Sequence, residues 1–157
     1  MKRIVIKIGY QIILDDEEKE GSDLNNILSE IVLLRTKGYL FTIVSSGAVA
    51  LAKKNISLTN SQEGTTSSKQ ALSSIGQVYL MNKYKSFFNS HNIECAQVLA
   101  GRDNFNSRLA YLNIRSALEE LYSYDVMPII NENDVVSTME IEGKFYGDND
   151  RLAAIVS

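Results

Sequence analysis

Tyr39-Leu40-Phe41-Thr42-Ile43-Val44-Ser45-Ser46-Gly47-Ala48-Val49-Ala50-Leu51-Ala52-Lys53-Lys54 joins an apolar run, a short polar stop and a block of strong helix formers. The run from Tyr39 to Val44 reads as a strand, Ser45-Ser46-Gly47 ends it, and Ala48 to Lys54 favours helix. The join has the form of a strand-to-helix turn, with backbone amides at the positive end of a helix dipole. An ordinary N-cap explains the same residues equally well.

The same alternation continues on either side. Arg3 to Ile8 is a β-branched strand that Gly9 ends. Ser22 then caps a helix with Leu24, Ile27, Leu28, Ile31 and Leu34 at helical spacing up to Gly38. Asn55 to Ser68 is polar and reads as a surface loop. It leads into a long helix expected to turn Leu72, Ile75, Tyr79 and Phe87 toward the core. Cys95 to Leu99 is the third strand, Ser107 caps a helix carrying Leu109, Leu112, Leu118 and Leu121, and Met127 to Ile130 is the fourth strand. Val135 to Phe145 is expected to form a small hairpin turning at Glu142-Gly143. Strands alternating with helices predict an α/β fold: a three-layer αβα sandwich around a mainly parallel sheet.

Composition narrows the function. A chain of 157 residues, 45% apolar and 22% charged, suits one domain with its own core. A formal charge of −3 without a basic run gives no footprint for nucleic acid or an anionic membrane. One cysteine, Cys95, and one histidine, His91, exclude an intrachain disulfide and any Cys/His zinc cluster. No metal ligands are assigned. The few apolar residues after Met1-Lys2-Arg3 are too short for a signal segment or a membrane span, so a cytoplasmic location is expected.

In open α/β sheets ligands bind beyond the carboxyl ends of the strands. Those ends offer Lys7 and Gly9, Ser45-Ser46-Gly47, Gly101-Arg102-Asp103 and Asn131-Glu132-Asn133-Asp134. Lys7 stands in an otherwise apolar strand, where an ammonium would neutralise charge on a transferring phosphoryl group. An edge-strand lysine reaching solvent is the competing reading. Gly9 would let backbone amides approach an anion. No Gly-Lys-Ser or Gly-Lys-Thr closes the Ser46-Gly47 turn, so it is not a Walker A loop, and Ser46 lacks the frame of a nucleophile elbow. Two clusters of short amides and carboxylates, Asn131 to Asp134 and Gly147-Asp148-Asn149-Asp150, can grip a small polar ligand, and the second also starts a helix.

Taken together, Ile4-Val5-Ile6-Lys7-Ile8-Gly9, Val44 to Ala50, Lys69-Gln70-Ala71-Leu72 with Ile75-Gly76-Gln77, Tyr111 to Arg115, Pro128 to Asp134 and Gly147 to Arg151 resemble the amino acid kinase family, and within it the glutamate 5-kinases. The resemblance implies ATP-dependent phosphorylation of the side-chain carboxylate of L-glutamate, opening proline biosynthesis. It implies that Lys7 is catalytic and contacts the ATP phosphates, that Gly9 and Gly47 shape the phosphate loops, and that Ser46, Asp134 and Asn149 bind glutamate, with Asn131, Asp148 and Asp150 beside them. It further implies Mg2+ held mainly by the nucleotide, proline as a feedback inhibitor, and a homo-oligomer, dimer or tetramer. A carboxylate acceptor is already ionised near neutral pH, so a site without histidine needs only alignment and charge neutralisation.

The sequence departs from the family pattern in three places. Tyr10 and Gln11 stand where small hydroxyl residues are usual, and Leu99-Ala100-Gly101-Arg102-Asp103 replaces Leu-Thr-Arg-Asp. The sequence stops at Ile155-Val156-Ser157, inside the helix that Asp148 starts. The expectation is therefore residues 1–157 as the N-terminal, amino-acid-binding part of a kinase domain, without its C-terminal nucleotide-binding half or a PUA domain, and of low or no activity alone. A non-catalytic module binding glutamate or proline, or an inactive remnant, is the alternative.

Overall fold

A computed structural model describes residues 2–15, 22–57, 64–101, 107–136 and 148–156. Within them β1 (Arg3–Ile8) is followed by α1 (Tyr10–Asp15) and α2 (Asp23–Arg35). Next come β2 (Leu40–Ser45), α3 (Ala48–Asn55) and α4 (Thr66–Asn89). β3 (Cys95–Ala100) leads to α5 (Arg108–Ser123), and β4 (Met127–Glu132) precedes α6 (Asp148–Val156). The four strands form one sheet in the order β1-β2-β4-β3, and every neighbouring pair is parallel.

Burial follows that order. β4 lies between two neighbours, and all six of its residues are buried, including Asn131 and Glu132. β1 has one neighbour and leaves Arg3 and Lys7 exposed. Successive strand residues point to opposite faces, so β2 sends Phe41 and Ile43 one way and Val44 the other. On the first face Ile13, Leu28, Ile31, Leu51, Leu80, Tyr84 and Phe88 of α1 to α4 pack on Phe41, Ile43, Met127 and Ile129. On the second, Leu118 of α5 and Leu152 of α6 cover Val44, Ala100 and Ile130. The fold is the expected α/β arrangement of three layers, helices on both faces of a parallel sheet.

The caps behave as read. Ser22 Oγ accepts from the Asn25 amide and Ser107 Oγ from the Ala110 amide, satisfying orphan donors at each helix start. Other boundaries move. Gly9 passes directly into α1, which was not anticipated between Gly9 and Ser22. The second strand begins at Leu40 rather than Tyr39, the third and fourth run on to Ala100 and Glu132, and α4 starts at Thr66, inside the stretch read as loop, with Thr65 as its cap. Most of the hairpin expected at 135–145 lies outside the described residues, as do Arg102 and Asp103.

The larger correction concerns which side of α4 faces inward, and α5 too leaves apolar side chains outside. Ile75 and Tyr79 are exposed at 39% and 36%, and Leu109 and Leu112 at 70% and 42%. The inner face of α4 is instead Leu72, Ser73, Gly76, Gln77, Leu80, Tyr84 and Phe88. One reason is Gly76, where a Cβ would overlap the Ala48 carbonyl outright. α4 therefore lies directly on the first turn of α3, closer than any side chain allows. That contact fixes the rotation of the helix, and Ser73 and Gln77 turn inward with it.

Candidate functional site

The carboxyl ends of β1, β2 and β4 open into a cavity of about 680 Å³. Its floor is the first turn of α3, Gly47 to Ala50, with Ser46 at the entrance to that turn. Gly47 sits at φ +101°, the left-handed region that disfavours a side chain. A Cβ there would also come within 3.3 Å of Tyr10. Gly47, the N-cap of α3, has no side chain to cap the amides of that first turn. The Ser46 amide donates to the Ile8 carbonyl at 3.2 Å, pinning the turn to the end of β1, and its hydroxyl reaches the same oxygen at 3.4 Å.

The opposite wall comes from β4, the turn after it, and α6. Asn131 Oδ1 accepts from the Glu132 amide at 2.8 Å, which leaves the Asn131 NH2 group to face the cavity. Asp134 lines the cavity and accepts a hydrogen bond of 2.9 Å from Ser73 on α4. Burial holds its carboxyl above the ordinary carboxylate range, and the Ser73 hydroxyl pulls it back only in part. No cation is paired with Asp134 among the described residues. Asn149 also lines the cavity, and its Oδ1 is buried with no hydrogen-bond partner there. A buried acceptor left in that state costs stability until a donor arrives.

α4 holds this wall in place. Gln70 Nε2 donates to the Val135 carbonyl at 2.9 Å, and Gln77 Nε2 reaches the Glu132 carbonyl at 3.4 Å. Gln77 in turn accepts from Gln97 on β3 at 2.9 Å. Two turns further on, Tyr84 shares a 2.8 Å hydrogen bond with Ser45, the residue before Ser46. One helix face thus braces both walls.

Of the residues singled out from sequence, Ser46, Gly47, Asn131, Asp134 and Asn149 meet at this cavity. Lys7 and Gly9 are not among its lining residues. Lys7 alternates with Ile8 and shares the sheet face of Val5, which α6 covers, and its Nζ pairs with Asp150 Oδ1 at 2.9 Å. Both side chains are largely exposed, so the pair adds little stability. A Cβ on Gly9 would meet nothing within 4 Å, so the fold does not itself require glycine there. Asp148 is the first residue of α6, and its side chain lies outside the described residues. Sequence reading missed Lys53, Lys69 and Ser73 as site residues and treated Tyr10 only as a departure. The available signal was Lys69 and Ser73 standing four apart on one helix, a spacing that puts them on one face. Among the described residues no helix is long and apolar enough to cross a membrane.

The sequence profile of the amino acid kinase family matches residues 2–157. Over 158 residues the chain is 39% identical to a glutamate 5-kinase of Pelobacter propionicus, covering all of this chain and 41% of that protein. It is 43% identical over 157 residues to a glutamate 5-kinase of Alkaliphilus metalliredigens, covering 99% of this chain and 58% of that one. For the glutamate 5-kinase of Thermotoga maritima the identity is 37% over 155 residues, 99% of this chain and 43% of the other. The chain thus spans about two fifths to three fifths of these relatives.

Proposed function

The chain belongs to the amino acid kinase family, and we propose that it serves the ATP-dependent phosphorylation of L-glutamate on its side-chain carboxylate, giving L-glutamyl 5-phosphate, the first step of proline biosynthesis. In this reading residues 1–157 form the amino-acid-binding part of the kinase domain. The observation that carries it is the cavity wall on which Asp134, without a cation among the described residues, stands with the unpartnered Asn149 Oδ1. An ammonium supplies what both lack: a positive charge for the carboxylate and a donor for the amide oxygen.

The remaining residues then take complementary parts. The Asn131 NH2 group donates to a carboxylate oxygen, the Ser46 hydroxyl turns to another from its long 3.4 Å contact with the Ile8 carbonyl, and the first-turn amides of α3 favour negative charge at the cavity floor. A glutamate carboxylate is ionised near neutral pH, so the chain needs no general base. Its work is to hold the acceptor in line and shield it from water. ATP with Mg2+, when bound, supplies the phosphoryl group; of this chain's residues Lys7, Gly9 and Gly47 would face the phosphates. The open space above Gly9 and the side-chain-free Gly47 fit an anion approaching the backbone, and Lys7 would exchange Asp150 for phosphate oxygen. Asp148 and Asp150 stand beside the acceptor in this reading. Proline as a competing ligand, a dimer or tetramer, and a cytoplasmic setting go with it.

Calorimetric titration of the chain with L-glutamate tests the proposal. Glutamate is expected to bind, and Asp134→Ala to weaken it by about ten- to a hundredfold, the range for losing a charge-assisted contact. Equal binding by parent and variant, or none by the parent, would remove glutamate as the ligand of this cavity.

A further inference from the structure

The charged groups lining the cavity are Lys53, Lys69 and Asp134, two cations against one carboxylate. That balance suits a ligand with two carboxylates and one ammonium, and it raises the question of which lysine meets which carboxylate. The α-amino and α-carboxylate groups of an amino acid share one carbon, so the side chains that recognise them must stand side by side. Lys69 meets this condition. It lies one helical turn before Ser73 on α4, and Ser73 donates to Asp134 at 2.9 Å. Side chains four apart on a helix have Cβ atoms about 5–6 Å apart. Gln70, next to Lys69, donates to the Val135 carbonyl, so this turn of α4 and the Asp134 turn are tied at two points. No carboxylate is paired with Lys69 among the described residues. Lys53 sits in the last turn of α3, on a different element.

Resting on the glutamate reading above, we propose that Lys69 is a specificity residue that binds the α-carboxylate of the acceptor beside Asp134, which binds its ammonium. The two together read the amino-acid head group. The side-chain carboxylate is thereby directed toward Ser46 and the first turn of α3.

The test compares two ligands that differ in the group concerned. L-glutamate and 4-aminobutyrate are titrated into the parent chain, Lys69→Gln, Lys69→Arg and Lys53→Gln, with thermal unfolding as a check that each variant is folded. The parent should bind glutamate at least about tenfold more tightly than 4-aminobutyrate, which lacks the α-carboxylate. Lys69→Gln should erase that preference by weakening glutamate about ten- to a hundredfold while leaving 4-aminobutyrate unchanged. Lys69→Arg should restore most of it, and Lys53→Gln should keep it. Equal weakening of both ligands by Lys69→Gln, no weakening, or loss of the preference in Lys53→Gln overturns the assignment while the glutamate reading stands. A parent that binds no glutamate overturns both.

Discussion

α4 and α5 lie on opposite faces of the same sheet and are buried by opposite rules. α5 carries Leu109, Leu112, Leu118 and Leu121 at helical spacing, yet only Leu118 among its residues is buried, and Leu109 is 70% exposed. α4 turns Ile75, Val78 and Tyr79 outward and takes Ser73 and Gln77 inside. On α5, Leu118 is buried in the cluster with Val44, Ala100, Ile130 and Leu152. Burial on α4 is set by a glycine seated on the next helix and by polar side chains that hold the cavity wall. An apolar stripe shows that a helix has a side to hide, and the partner decides which side that is.

The sharpest way to break this contrast is Gly76→Ala. No rotamer can relieve a Cβ that meets the Ala48 backbone, so the change should cost at least about 3 kcal/mol. For a chain of this size the melting midpoint should fall by roughly 10 °C in circular dichroism. A midpoint within a degree or two of the parent's would show that the two helices are not in backbone contact.

On the opposite face, Leu118→Ala removes the one buried side chain of α5. It should cost about 2 kcal/mol in urea unfolding, the low end of the range for a buried leucine, because its surroundings can close in. A loss equal to that of Gly76→Ala would erase the difference between the faces.

Asp134→Asn should act in the reverse direction on stability. Burial raises the folded-state pKa of Asp134 above its unfolded value, so the fold prefers the protonated carboxyl. The resulting penalty is absent below the ordinary carboxylate pKa of about 3.9 and grows as pH rises through the raised value. The permanently neutral variant should therefore melt slightly higher than the parent at pH 7, with the gain vanishing near pH 3, while binding glutamate more weakly. A parent that is the more stable of the two at pH 7 would mean that Asp134 already has a stabilising partner.

Much of this was legible in the residues themselves. The strand-to-helix units, the caps at Ser22 and Ser107, and the polar strand ends holding Ser46, Asn131 and Asp134 depend on neighbours a few positions apart, which a linear reading contains. Lys53, Lys69 and Ser73 were not legible as site residues. Their part depends on α3 and α4 lying against β4, and the Ser73–Asp134 hydrogen bond spans 61 positions. Lys7 shows the same limit from the other side. Its charge in an apolar strand was plain, but its ion-pair partner Asp150 comes from α6, far along the chain.

The sequence by itself determined the α/β order and which short polar residues would gather at the strand ends, because periodicity, capping and turn chemistry act over a few residues. The tertiary structure alone decided that α4 braces both walls of the cavity and that Lys69 of α4 and Asp134 of the turn after β4 line the same cavity. Such contacts form only when segments far apart in the chain are packed together, and a glycine without a side chain sets how closely they can approach.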